Sequence, residues 1–167
     1  VKLKVALVIS FVLLLGFLVS GCSLLARKAT EKAIEKSTGV EVDEKEGKVK
    51  VKTKEGEAEF GAKEFPKDFP KDFPVYSGAG DIASTRVETG EGVSMNVGYK
   101  VNKDVSVVSN FYKDSLPENG YEVEQTVETS QDFVMIYFKK GEKLEGTLSI
   151  SKSNGATQVN VSLVMKK

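Results

Sequence analysis

Between Val93 and Val101, five apolar side chains (Val93, Met95, Val97, Tyr99 and Val101) alternate without a miss with Ser94, Asn96, Gly98 and Lys100. Successive side chains of an extended strand leave opposite faces, so this strict period of two describes a strand with one buried and one polar face. A helix would scatter the same five residues around its axis. Once one such strand exists it needs partners, and the flanking sequence offers them. Ile82 to Val87 precedes it across the turn Thr89-Gly90-Glu91-Gly92. Four more strands follow: one carries Tyr121, Val123 and Val127, one runs from Phe133 to Phe138, one carries Leu144, Leu148 and Ile150, and one carries Val159, Val161, Leu163 and Met165. Lys140-Gly141-Glu142 and Asn154-Gly155 are hairpin turns.

Only one stretch of this region changes period. After Asp104, which can cap a helix, Val105, Val108, Phe111 or Tyr112, and Leu116 recur every three to four residues, and Pro117 and Gly120 close the run. Short turns and the lack of alternating helices predict an antiparallel sheet. The expected class is α+β: an antiparallel sheet of about six strands with one helix packed across one face, preceded by a small helix plus a three-stranded meander.

The meander is read from Val40 and Val42, Val49 and Val51, and Ala58 and Phe60, with Gly47 and Gly56 as turn residues. Lys48, Lys50 and Lys52 would form a basic middle strand between Glu41 and Asp43 on one side and Glu57 and Glu59 on the other. Ahead of it, residues 26–38 are good helix formers with Leu25, Ala29, and Ala33 or Ile34 on one side. That helix either lies on a membrane surface or packs on the meander.

The first residues are of a different kind. Lys2 and Lys4 precede an apolar run from Val5 to Val19 broken only by Ser10 and Gly16. The run is shorter than the about 20 residues of a spanning helix and has the form of an export signal. Its end, Val19-Ser20-Gly21-Cys22, resembles a bacterial lipobox. The resemblance implies cleavage before Cys22 and a diacylglyceryl group on its thiol, hence an exported protein anchored to a membrane of the cell envelope by its acyl chains, on the outer face of the cytoplasmic membrane or in the outer membrane. The expected domains are 1–21, signal peptide; 22–60, lipidated N-terminus, short helix and meander; 61–80, a strap; and 81–167, the α+β domain.

The strap repeats itself: Phe65-Pro66-Lys67-Asp68, Phe69-Pro70-Lys71-Asp72, then Phe73-Pro74. Proline favours extended geometry, so a semi-rigid, polyproline-like segment is expected. Three of the nine Phe of the chain lie here, which a solvated linker does not need. They either dock on the chain's own core or form a recognition segment. The stretch Phe73-Pro74-Val75-Tyr76-Ser77-Gly78-Ala79, together with Phe111-Tyr112, Leu116 and Gly120-Tyr121, resembles a group of small exported bacterial proteins with a Pro-x-Tyr-Pro-Gly-Ala entry and a later Phe-Tyr-x-x-x-Leu helix. Ser77 stands where Pro is usual. The group is of unknown function, so the resemblance implies a fold and no catalytic residue.

Chemistry is narrowed by what is missing. There is no His, which removes the commonest general base and zinc ligand. Without residues 1–21 the chain has 22 basic against 24 acidic residues, a balance that does not draw it to nucleic acid. No phosphate loop or calcium loop is present, no Ser-x-x-Lys falls on a helix where it could make a nucleophile and base, and no metal or cofactor is implied. The strand Phe133 to Phe138 is apolar on both faces while a single helix covers one. Phe65, Phe69, Phe73, Val134, Ile136 and Phe138 are therefore the candidate binding surface, beside Cys22 as the lipidation site. The expected role is non-catalytic binding or assembly, with an envelope protein as a candidate partner. The alternatives are a carrier of a lipid or other apolar ligand, which calls for an apolar cavity between helix and sheet, and a carboxylate-dependent envelope hydrolase, which calls for two converging acids.

Overall fold

A computed structural model describes residues 41–45, 48–53 and 56–167, with side chains from residue 48 onward. The expected signal segment, Cys22 and the helix over 26–38 lie outside the described residues. The elements in chain order are β1 (Glu41–Lys45), β2 (Lys48–Thr53), β3 (Gly56–Ala62), β4 (Gly80–Thr89), β5 (Gly92–Val101), α1 (Val105–Glu118), β6 (Glu122–Ser130), β7 (Phe133–Lys140), β8 (Leu144–Ser153) and β9 (Ala156–Lys166). All nine strands hydrogen-bond into one sheet in the order β1-β2-β3-β4-β5-β9-β8-β7-β6, and every neighbouring pair is antiparallel.

This corrects the expected architecture of a six-stranded domain with a separate small module in front. The meander is not a module, because β3 pairs with β4 continuously from Gly56↔Thr89 to Ala62↔Ala83. Residues 63–79 loop out between two strands that lie side by side. Lys63 turns out of β3 with φ 73°, and its N–H donates to the carbonyl of Ile82 at 2.7 Å. Periodicity shows that strands exist but not which of them are neighbours across such a loop. Gly56, read as a turn residue, is the first residue of β3, where a Cβ would stand 2.1 Å from the carbonyl oxygen of Glu88.

The helix makes the one long crossing. β5 and β6 are four strand spacings apart, about 19 Å at roughly 4.8 Å each, and a 14-residue helix is about 21 Å long. Its length suits the step from the middle of the sheet to its far edge, after which β6 to β9 return by hairpins. The helix ends in a Schellman motif: Tyr121 N–H donates to Leu116 O and Gly120 N–H to Pro117 O, both at 3.0 Å. Gly120 supplies the required positive φ of 78°. Pro117 sits inside the last turn. Asp104 is the N-cap residue but makes no side-chain cap bond; its carboxylate instead accepts from Lys152 at 3.3 Å.

The core lies on one face of the sheet. Met95, Val97, Tyr99 and Val101 of β5, Val159, Val161 and Leu163 of β9, Leu148 and Ile150 of β8, and Val134, Ile136 and Phe138 of β7 are all buried. Register puts them shoulder to shoulder: Met95↔Leu163, Val97↔Val161 and Tyr99↔Val159 across β5 and β9, and Val134↔Ile150 and Ile136↔Leu148 across β7 and β8. Val105, Val108, Tyr112 and Leu116 of α1 pack onto them. Phe138 faces Gly146, whose missing side chain makes room for the ring: a Cβ there would meet Phe138 Cζ at 2.6 Å and Ser162 O at 2.7 Å.

Toward β1 the same face changes character, since Arg86 sits opposite Met95 and Glu59 opposite Arg86. Lys50 pairs with Glu59 at 2.9 Å and Lys52 with Glu57 at 3.6 Å, so the charges of the meander are matched across strands. The opposite face of the sheet is uncovered by any described element. It is lined centrally by Asn96, Gly98, Asn160 and Ser162, with Phe60, Val87, Tyr137 and Val164 exposed among them.

Candidate functional site

The repeat of the strap has the length of a β-turn, and each copy closes one. Phe69 N–H donates to Pro66 O at 3.0 Å, and Phe73 N–H to Pro70 O at 3.1 Å. The segment is thus a pair of turns rather than the extended, polyproline-like strap expected, because Lys-Asp after each Phe-Pro can occupy the two central turn positions. Every turn returns its Phe to the same side. Phe65, Phe69 and Phe73 form a row, with centroids 5.0 Å apart for the first pair and 5.4 Å for the second. A third turn follows: Ala79 N–H donates to Tyr76 O at 3.2 Å, with Gly78 at φ 84°. That is the third-position geometry of a type II turn, whose second position, here Ser77, suits Pro.

The row lies in a trough whose walls come from β5, α1, β7 and Tyr121, the residue before β6. Phe65 is 6.1 Å from the Tyr99 ring. Phe73 is 5.5 Å from both Tyr121 and Phe138 and 6.3 Å from Tyr112. Phe69 is 8% exposed and Phe73 4%. Helix and strap therefore cover the same row of β7, with Val134, Ile136 and Phe138 buried at 4%, 0% and 1% exposure. Of the six residues of the candidate binding surface, Phe69, Phe73, Val134, Ile136 and Phe138 are buried in the core and Phe65 is partly buried against it, so the phenylalanines take the first of their two expected places, docked on the chain's own core. The second row of β7, Phe133, Met135 and Tyr137, is the one left toward the uncovered face, with Tyr137 37% exposed.

Polar groups in the trough are few and paired. The hydroxyls of Tyr99 and Tyr112 bond each other, and Tyr76 N–H donates to the Tyr112 hydroxyl at 3.3 Å. Burial pushes the Tyr112 phenol up to about 12 and raises that of Tyr99 further. Neither ionises near neutrality, so neither serves as a base. Burial likewise raises the Tyr121 phenol.

Two ion pairs tie the strap down, one per turn. Arg86, 4% exposed, donates from Nε at 2.8 Å and from Nη2 at 2.6 Å to the same Asp68 oxygen, and from Nη2 to Glu88 at 2.7 Å. The other Asp68 oxygen, Oδ1, is buried without a partner. Lys140 donates to Asp72 Oδ2 and, at 2.8 Å, to Asn119 O. The Tyr121 hydroxyl donates to Asp72 Oδ1 at 3.1 Å, and the Lys140 ammonium stands 4.5 Å from the centre of the Tyr121 ring. The two basic groups belong to the sheet and the two carboxylates to the strap. Sequence reasoning found the phenylalanines but missed these pins; the signal for them was the Asp that closes each repeat.

Two shallow grooves lie elsewhere. One of about 400 Å³ on the uncovered face is lined by Asp81, Thr85, Asn96, Gly98, Gln158 and Asn160. One of about 560 Å³ lies between the start of α1 and the β6–β7 hairpin, where Lys113 meets Glu128 and Lys152 meets Asp104. Two of its three acids, Glu128 and Asp104, are paired with lysines and only Asp132 is left, so it holds no free carboxylate pair of the kind a glycan hydrolase uses. Among the described residues no group of three or more His, Cys, Asp or Glu could hold a metal ion, and no helix is long and apolar enough to cross a membrane.

Residues 82–164 match a family model described as START domain-like. The match runs from β4 to β9 with α1 and leaves the strap outside. No curated protein and no solved structure matches the chain. The likeness of this region is to a ligand-binding kind of domain rather than to a catalytic one, which is consistent with the expected non-catalytic binding role.

Proposed function

We propose that this is an exported, lipid-anchored protein of the bacterial cell envelope whose START-like domain holds a lipid or other apolar ligand without transforming it. Cys22, in Val19-Ser20-Gly21-Cys22, carries the anchor, and acyl chains at about 0.8 kcal/mol per buried CH₂ tether the domain to a membrane. The domain meets apolar molecules within a thin layer above that surface. The observation that carries the reading is the composition of the core: helix and sheet of the matched region leave an aromatic trough beside the helix, and a segment from outside that region fills it. A domain built only to be stable has no need to leave such a space for a loop to close.

Native mass spectrometry of the full chain, processed in a bacterium and extracted without delipidation, tests this. A noncovalent apolar adduct beside the covalent lipid is expected. Bare protein that also fails to take up a fluorescent fatty acid would remove the binding role. Cys22→Ser should abolish metabolic labelling by palmitate and release the protein from the membrane fraction, and persistent labelling would refute the anchor.

A further inference from the structure

We infer that the strap is an intramolecular stand-in for the ligand, and that the trough exchanges it for a single-chain amphiphile with an anionic headgroup. This rests on the binding reading above and specifies both the class of ligand and the control of access.

The chemistry of the strap is that of such a molecule. Three aromatic rings lie end to end in an apolar trough, and beside the row two carboxylates, Asp68 and Asp72, meet two cations fixed on the sheet, Arg86 and Lys140. Arg86 is almost fully buried beneath the strap. If the strap lifted, the Arg86 guanidinium, held by Glu88 with Glu59 opposite it, would lose its bonds to Asp68 and meet water until a ligand covered it again, and a charge covered with unmet donors is costly. An incoming carboxylate or phosphate satisfies it, while a neutral lipid leaves it unmet. The trough therefore selects an acidic head as well as an apolar tail.

The strap is also suited to leave. Both Arg86 donors converge on one oxygen of Asp68, so the pin is not the two-oxygen fork that arginine and carboxylate form at best. The second oxygen is buried and unpaired, a standing cost in the closed form. The strap's backbone bonds are three isolated turn contacts and one bond from Lys63 to Ile82 at its start, rather than a strand ladder. Lifting exposes three rings, so the trough opens against an apolar exchange and not to water alone. The closed strap lowers apparent affinity by the fraction of molecules in which the trough is free.

The test uses the full chain, a dansyl-labelled fatty acid and its methyl ester as probes, and the double variant Asp68→Asn/Asp72→Asn, which loosens the pins and leaves the trough intact. The acid should bind the variant about tenfold more tightly than it binds the unaltered chain, and should bind both more tightly than the ester does. In the unaltered chain, saturating acid should speed hydrogen exchange at the Phe69 and Phe73 amides, which the turn bonds protect. Binding with those amides still protected and affinity unchanged in the variant would place the ligand elsewhere and overturn the exchange, leaving the binding role intact. Equal binding of acid and ester would overturn the anionic class. No binding to either form would overturn both this inference and the reading it rests on.

Discussion

Replacing Phe73 with Ala removes the ring on which the strap, the helix and the sheet converge. The ring is 4% exposed and contacts Phe69, Tyr112, Tyr121 and Phe138. Truncating a buried Phe costs about 3 to 5 kcal/mol, yet the surroundings here can respond. The strap is a loop, and once Phe73 is gone the remaining contacts can be released together. The loss is then bounded by what docking of the whole strap contributes, which places Phe73→Ala near the low end, about 3 kcal/mol. Phe65, only partly buried, should cost about 1 kcal/mol when truncated. Because the rings stack on one another, Phe69→Ala and Phe73→Ala should be non-additive: the double variant should lose less than the sum by about 1 kcal/mol or more. Urea unfolding followed by far-ultraviolet circular dichroism measures all four. A Phe73→Ala loss below about 0.5 kcal/mol, which is the range of surface substitutions, would refute a structural role for the row. Strict additivity would refute release of the strap as a unit.

Three other outcomes follow from the same geometry. Gly146→Ala should destabilise by about 1 to 3 kcal/mol, the cost of overpacking, because its Cβ would meet Phe138 Cζ, Ser162 O and Leu163 Cδ2 all under 3.0 Å; an unchanged urea midpoint would show that the Phe138 ring is not held against that glycine. The hydrogen bond from Lys140, opposed by burial and helped by the Tyr121 hydroxyl, holds the Asp72 carboxyl below the usual carboxylate range. A folded-state value below the unfolded one, about 3.9, contributes stability that is complete above it and is lost as pH falls through the lowered value. Asp72→Asn should therefore lower Tm at neutral pH and flatten the fall of Tm below about pH 4, and parallel Tm curves for the two proteins would remove the linkage. Ser77→Pro should add about 0.4 to 1 kcal/mol if residues 76–79 form a type II turn, and a loss in thermal unfolding would show that the turn is of another type.

The sequence by itself determined where strands and helix run. Val93 to Val101 alternates because one face of β5 is buried and the other is not, and a period of two has no other packed solution. Val105, Val108, Tyr112 and Leu116 are spaced as a helix requires and are the residues α1 buries. The phenylalanines of the strap were legible as apolar surface in need of a partner, since rings are costly to leave in water. Which partner they take was not legible, because that depends on contacts between residues far apart in the chain. Only the tertiary structure decided that β3 runs beside β4, so that nine strands make one sheet, and that strap and helix share a face instead of covering one each. The cause is geometric: α1 lies over β6, β7 and β8, and residues 63–79 leave and re-enter the sheet at neighbouring strands, so the loop lies over the part of the core that the helix does not reach. The pairing of Asp68 with Arg86 and of Asp72 with Lys140 spans 18 and 68 residues, and no local pattern encodes it. Those two contacts hold a repetitive loop in the aromatic trough.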